Sequence, residues 1–520
     1  MVSPFKVSAK QVLGATIAAA VLGTAGVAVA KPDTTRVIVS MKPGMAAGGR
    51  AAVRAAGGSV KLEIDGTDAV AVEIPAAALK GLVHNPNIEY IEDDLIRYPF
   101  ATTTPSVAPY YAGQLVPFGI KMVQADQMPL GDTNTSNRKV CIIDSGYDLS
   151  HEDLNGNPVT GEYDSGTGWW YTDENHHGTH VAGTIAAINN NGVGVVGVNP
   201  NRNLRLHIVK VFNAAGWAYS STLAAAANKC GAAGANIISM SLGGGRSNRT
   251  EMRAFDKLAS AGVLSIAAAG NDGTTAVSYP AGYASVMSVG ALDETKAWAT
   301  FSQYNSKVEI SAPGVSVLST VPMGSGSASV LSVGGVPYTP GDMDGSPKQT
   351  ATGLLADFGL GTAVNTTVAG KVCLIQRGTV DFATKVTNCQ NSGGIGAVVY
   401  NNVAGAFGGT VGTGTTIPSV TATSSDGAAM LGQLGQTAVV GVTPSNYAFF
   451  DGTSMATPHV SAVAALVWSY YPNCTAAQLR NSLNKSAEDL GTAGRDTKFG
   501  FGLVRALATY NRIKSLGCGN

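Results

Sequence analysis

Charge is scarce in this chain. Only 13% of its 520 residues are Asp, Glu, Lys or Arg, against roughly 25% in an ordinary soluble domain. The two signs balance at 34 each, so no basic or acidic field favours a nucleic acid or an acidic partner. None of the 6 cysteines forms a C-x-x-C pair, which argues against a zinc ribbon. The 65 glycines follow no Gly-X-Y period, so they read as tight turns and close backbone approaches rather than a triple helix. No internal repeat is visible. Past the first thirty residues, no apolar run nears the length of a membrane span.

What is present starts with those thirty residues. Lys6 and Lys10 precede an apolar run, Gln11 to Val29, that ends in the small-x-small site Ala28-Val29-Ala30. The run is near spanning length, but a cleavage site where a signal should end makes residues 1–30 a secretory signal peptide. Export predicts a secreted protein with no membrane attachment after signal removal. It also makes Cys141, Cys230, Cys373, Cys389, Cys474 and Cys518 disulfide candidates, with a connectivity that sequence does not determine. Nearness in sequence favours Cys373 with Cys389 and Cys474 with Cys518, which would leave Cys141 with Cys230.

Texture divides the rest. Residues 31–100 read β-α-β-β-α-β, a ferredoxin-like α+β unit, followed by a Pro- and Thr-rich linker, "RYPFATTTPSVAPYYAG". Between 101 and 322, wholly apolar strands such as "KVCIID", "LHIVKVF" and "VLSIAAAGN" alternate with helical stretches. That is an α/β pattern, a parallel sheet with helices on both faces. Residues 323–445 turn to Gly, Ser, Thr and Val in short strands, a mostly-β insertion. From 446 to 520 the strand-then-helix pattern returns.

Three of only 7 histidines, His176, His177 and His180, crowd into "DENHHGTHVAGT". His176 and His180 have the spacing of the two ligands in H-E-x-x-H zinc peptidases. But His177 stands where that motif needs Glu, and no third ligand is nearby. A nucleophilic triad is the better reading. Asp144 ends the buried strand "KVCIID", where it can reach an imidazole while shielded from water. Ser454 in "DGTSMATPHV" sits at a helix mouth, where N–H groups favour developing negative charge. Asn271 follows the strand of "AAAGN", placed to donate to an oxyanion. Each alone has a bland reading as turn or cap. Their joint order on the strands of one sheet carries the weight.

"IIDSG", "HGTHVAGT", "SMSLGG", "AAAGN" and "GTSMATPHV" together resemble the subtilisin-like serine peptidases, and the chain order Asp-His-Ser is that of the family. An α/β-hydrolase, suggested by "GTSMA", would need Ser first. A catalytically silent binding protein is not supported, since all four positions are filled. The resemblance implies an endopeptidase acting on protein or peptide substrates as a monomer. His177 would be the base, with His180 structural and His176 flanking the cleft. Residues 31–100 would be an inhibitory propeptide, and 323–445 a protease-associated (PA) domain. The resemblance also implies that Ser241, Leu242, Gly243 and Gly244, with Ala268, Ala269 and Gly270, wall the P1 pocket. Ser278 would lie near its floor. An apolar P1 is expected, with Asp272 admitting Lys or Arg. Gly216, Trp217 and Ala218 would form the facing edge strand, with Trp217 departing from the family's small residues. No catalytic metal is expected. A structural calcium is, held by Gln114, Asp153 and Asn191 side chains and the carbonyls of Asn189, Val193 and Val195.

Overall fold

The computed structural model describes residues 34–100, 102–103, 114–128, 137–405 and 407–520. The expected signal segment and most of the linker lie outside the described residues.

Seven strands form the central sheet. Their order across it is Val308–Pro313, Val286–Leu292, Leu264–Ala268, Ile237–Met240, Lys139–Asp144, Arg205–Lys210 and Val159–Gly161. Every pairing is parallel. The period-2 alternation of a strand explains the apolar runs. Val140 and Ile142 face one core with the helices His177–Ala186 and Thr453–Tyr470. Cys141 and Ile143 face the other, with Ser220–Ala232 and Arg249–Ser260. Both faces are covered, so the strands are mainly apolar. A Cys141–Cys230 disulfide ties the Ser220–Ala232 helix to the strand Lys139–Asp144, and Cys474–Cys518 ties the end of the chain just past the last helix, Ala506–Leu516, to the body.

The N-terminal unit is a four-stranded antiparallel sheet in the order Ser59–Ile64, Ala69–Pro75, Thr34–Met41, Ile88–Asp93. Ile38, Ile64 and Ala69 on its face pack on Ala224, Ala225 and Ala254. These belong to the two helices on that side of the central sheet. Two carboxylates from the unit complete the helices' open ends. Glu92 accepts from Arg249 N (2.7 Å) and Thr250 N (2.8 Å). Asp94 accepts from Ser221 N (2.9 Å) and Ser221 Oγ (2.6 Å), and also pairs with Arg36. A helix N-terminus presents unpaired N–H groups and partial positive charge, which is what a carboxylate satisfies.

The insertion has its own seven-stranded mixed sheet, running from Val336–Pro337 at one edge to Ser419–Ala422 at the other. A Cys373–Cys389 disulfide clasps its helix Phe382–Asn391 to the strand Val372–Gln376. It emerges from a hairpin. Val317–Thr320 pairs antiparallel with Tyr447–Asp451, and past a turn at 321–325 the same two segments pair again as Gly326–Val333 against Thr437–Ser445 in the insertion's own sheet. Among the described residues, no helix is long and apolar enough to cross a membrane.

Candidate active site

Asp144 ends its strand fully buried, and its Oδ1 lies 2.7 Å from His177 Nδ1. His177 opens the His177–Ala186 helix, whose start is organised by Asp173. That carboxylate accepts from His176 N (2.9 Å), Thr179 N (2.8 Å) and the hydroxyls of Ser145 and Thr179. His176 takes a left-handed conformation, φ 74°, which turns the chain so that His177 faces Asp144. His177 Nε2 is buried with no hydrogen-bond partner in the protein.

Ser454 is the second residue of the Thr453–Tyr470 helix. Its Oγ is turned toward Met455 Sδ at 3.5 Å. Pro458, four residues on, has no N–H to give the Ser454 carbonyl. Ser241 Oγ donates to that carbonyl instead, at 2.7 Å. Gly452 precedes the helix at φ 155°, and a Cβ there would meet Phe100 O at 2.2 Å and Ser454 Oγ at 2.8 Å. Only glycine leaves this space open. Asn271 Oδ1 accepts from Thr453 N (2.9 Å) and Thr453 Oγ1 (2.8 Å), which fixes the amide with Nδ2 pointing outward. That Nδ2 and Ser454 N both donate to the Phe100 carbonyl oxygen, at 3.1 and 3.3 Å.

The chain that delivers Phe100 is the strand Ile96–Pro99. It lies between Ala218–Tyr219 and Leu242–Gly243, antiparallel to both. Phe100 N donates to Ser241 O at 3.2 Å. The Phe100 ring lies over Gly243, where a Cβ would meet Phe100 Cε2 at 2.7 Å and Ser278 Oγ at 2.6 Å. Ala268, Ala269 and Gly270 are buried at the end of the Leu264–Ala268 strand, and a Cβ on Gly270 would strike Gln303. Asp272 is exposed, with its backbone N bonded to Gln303 Oε1. Ala218 pairs with Arg97. Gly216 turns at φ 67° just outside that strand. Trp217 is 41% exposed with its ring edge-on to Tyr219.

Arg97, only 1% exposed, drives into a pocket that ends at Glu251, itself fully buried. Tyr283 donates to the same carboxylate. Burial and the adjacent Glu251 charge push the Tyr283 hydroxyl well above its ordinary pKa, so it stays protonated as a donor. Past Phe100, residues 102–103 pair antiparallel with Asp451 and Phe450. Continued in that register, the direction leads along Phe449 and Ala448 into a cleft of about 640 Å³ between the catalytic sheet and the insertion, lined also by His176, Asp342 and Asp344.

His180 is fully buried. Its Nε2 lies 3.0 Å from both Val317 O and Ala448 O, and its ring stacks on Phe450. Burial pulls its pKa down to about 3. Among the described residues, no group of three or more His, Cys, Asp or Glu is placed to hold a metal.

Around Gln114, three acceptors converge on Nε2: Ile188 O (2.6 Å), Asn191 Oδ1 (2.9 Å) and Val195 O (3.5 Å). Asp153 accepts from Asn191 Nδ2 and Val195 N, both at 2.7 Å, and burial pushes its carboxyl up to about 6. The Ile188 carbonyl faces the Gln114 amide, and Asn189 Oδ1 accepts from Asn190 N. Val193 N donates to Asn191 Oδ1.

Thr453, Phe100 and Glu251 were not anticipated. A Thr at a helix start and a Glu in a helix's first turn are ordinary capping residues, so neither stood out. Phe100 falls inside the Pro- and Thr-rich segment read as a linker.

A family model described as the subtilase family matches residues 135–342 and 387–502, and one described as the PA domain matches 337–430. Subtilisin NAT of Bacillus subtilis subsp. natto is 37% identical over 277 residues, 52% of this chain and 67% of that protein. Subtilisin DY of Bacillus licheniformis is 42% identical over 214 residues, 40% of this chain and 76% of that protein. The crystal structure of the psychrophilic subtilisin-like protease Apa1 from the Antarctic Pseudoalteromonas sp. AS-11 shares 44% identity at a TM-score of 0.63. It covers 78% of this chain and all of that one. Fervidolysin from Fervidobacterium pennivorans, at 23% identity and TM-score 0.60 over 94% of this chain and 62% of that one, supports the fold alone. The chain belongs to the subtilase family and is a subtilisin-type serine endopeptidase carrying a PA domain.

Proposed function

We propose that the chain is a secreted zymogen. In it Ser454 is the nucleophile, His177 the general base and then acid, and Asp144 the group that orients the imidazole. Residues 31–100 act as an inhibitor held in substrate register. One observation carries this reading: the Phe100 carbonyl accepts from Asn271 Nδ2 and Ser454 N. Two N–H groups aimed at one carbonyl oxygen at a helix N-terminus form an oxyanion hole.

A χ1 rotation brings Ser454 Oγ from Met455 Sδ toward His177 Nε2. As Oγ attacks the carbonyl carbon, Nε2 takes its proton, and the Asp144 carboxylate stabilises the imidazolium. The oxygen's new charge falls on the two donors. Collapse breaks the C–N bond as the imidazolium protonates the leaving amine. Water, deprotonated by the same imidazole, then releases the acyl group. The first substrate is the chain itself, cut between Phe100 and Ala101. The pocket over Gly243, beside Ser278, accounts for an aromatic residue there.

A calcium ion fits beside Gln114. Three oxygens already converge on its amide nitrogen, and a half-turn of the amide would add Oε1, making a hard-oxygen set. Ile188 O, Val195 O, Asn191, Asp153 and Gln114 would hold the ion, which would brace the loop and take no part in the chemistry.

The test compares wild type with Ser454→Ala, each purified as full chain. Wild type should yield a new N-terminus at Ala101 and then hydrolyse casein, sensitive to a serine-directed phosphonate. Ser454→Ala should stay a single chain. If it matures without added protease, self-processing is wrong. If processed wild type leaves casein and peptides intact, the peptidase assignment itself goes.

A further inference from the structure

The strand Ile96–Pro99 occupies the cleft in a defined register. With Phe100 O at the two N–H donors, Arg97 is the fourth residue on the acyl side of the bond. Successive side chains of a strand point to opposite faces. Tyr98 is accordingly 49% exposed, whereas Arg97 is 1% exposed. The guanidinium meets Glu251 as a two-point fork, Nε to Oε1 at 3.0 Å and Nη2 to Oε2 at 2.7 Å. Nη2 also donates to Arg246 O at 3.1 Å and Nη1 to Ile96 O at 3.3 Å. Tyr283, held by Asn248 N at 2.8 Å, donates to Glu251 Oε2 at 2.6 Å. Gly244 leaves the pocket open, since a Cβ there would lie 3.2 Å from Arg97 Nη1.

Only Arg97 in this group comes from the N-terminal segment. Glu251, Tyr283, Arg246 and Gly244 belong to the catalytic domain and stay when that segment leaves. What remains is a pocket ending in a carboxylate that has lost its only cationic partner among the contacts described. A buried charge without a partner is costly, and a planar fork satisfies a carboxylate better than an ammonium does.

We propose that Glu251 makes the fourth acyl-side subsite selective for arginine, so that the enzyme prefers polypeptides with Arg three residues before the aromatic residue at the cut. This rests on the peptidase reading above. An apolar residue in that position would leave Glu251 desolvated and unpaired. Lysine would neutralise it through one ammonium instead of two parallel bonds.

The experiment uses processed enzyme and internally quenched peptides with the acyl-side sequence X-Tyr-Pro-Phe, X being Arg, Lys, norleucine or Glu. Arg should exceed norleucine in kcat/KM by roughly 30-fold or more, the scale of truncating one partner of a buried charge pair. Lys should fall between them and Glu should be worst. Glu251→Gln should bring Arg and norleucine within about 3-fold. Should that variant fail to mature, Arg97→Met combined with Glu251→Leu replaces the pair by apolar residues and should invert the preference. Equal cleavage of the Arg and norleucine peptides by wild type, still after Phe, would overturn the proposal and reduce the pair to an anchor for the N-terminal segment. Cleavage of no peptide would instead overturn the peptidase reading.

Discussion

Lowering the pH below about 6.5 should destabilise this protein, because two histidines are buried where a proton is refused. His180 and His459 are 0% and 1% exposed. Burial brings them down to about 3 and about 4, from an ordinary 6.5. Above pH 6.5 both states hold the rings neutral, and the full stability is present. Below it the unfolded chain takes up two protons that the folded chain does not, so stability falls with pH. The slope is about 1.4 kcal/mol per pH unit for each ring. Between pH 6.5 and about 4.5 the pair therefore removes about 4 kcal/mol, a large part of a typical total. His151 and Asp153 are shifted in opposite directions by burial, so their effects on the slope have opposite signs. The assay is urea unfolding of full-chain Ser454→Ala, which cannot digest itself, across this range. His459→Gln removes one of the two protons and should halve the slope, whatever it does to absolute stability. A stability that changes by less than about 1 kcal/mol over the range, or a slope unaltered by His459→Gln, would falsify the reasoning.

Three further outcomes are expected. Asn271→Ala should cut kcat by about 10²- to 10³-fold with little change in KM, the size known for the oxyanion donor of subtilisin; an unaltered kcat would remove Asn271 from the chemistry. Replacing both Cys474 and Cys518 by Ser opens a loop of 44-residue separation and should lower stability by about 3–4 kcal/mol, read in denaturant titrations; a loss below about 1 kcal/mol would show that the last helix is held by packing instead. Peptides lengthened from two to about six residues on the leaving side should gain about 3-fold or more in kcat/KM, because the strand register leads into the cleft beside the PA domain; no dependence on length would place the leaving chain elsewhere.

Much of the site was legible because its residues must sit at strand ends and helix mouths. Asp144 after "KVCII" and Asn271 after "AAAG" are polar residues ending apolar runs, which is where an open parallel sheet exposes its chemistry. The three cysteine pairs follow what nearness in sequence favoured. What stayed hidden depends on contacts with no sequence spacing. Arg97 and Glu251 are 154 residues apart, and each by itself is an ordinary charged residue. Ser241 bonding the Ser454 carbonyl makes sense only once Pro458 has withdrawn the helix's own donor.

The way the PA domain is attached has a mechanical consequence. A module hung on one strand of chain can swivel about single bonds. Here two antiparallel segments lead side by side into the insertion, paired from Val317↔Phe450 to Thr320↔Tyr447 and again, past a turn at 321–325, from Gly326↔Ser445 to Val333↔Ala438. A hydrogen-bonded ribbon is stiff in its own plane and yields mainly by bending across it. The domain is therefore mounted like a leaf spring, with one soft direction, and its travel would widen or narrow the gap beside His176 while leaving the triad's spacing untouched.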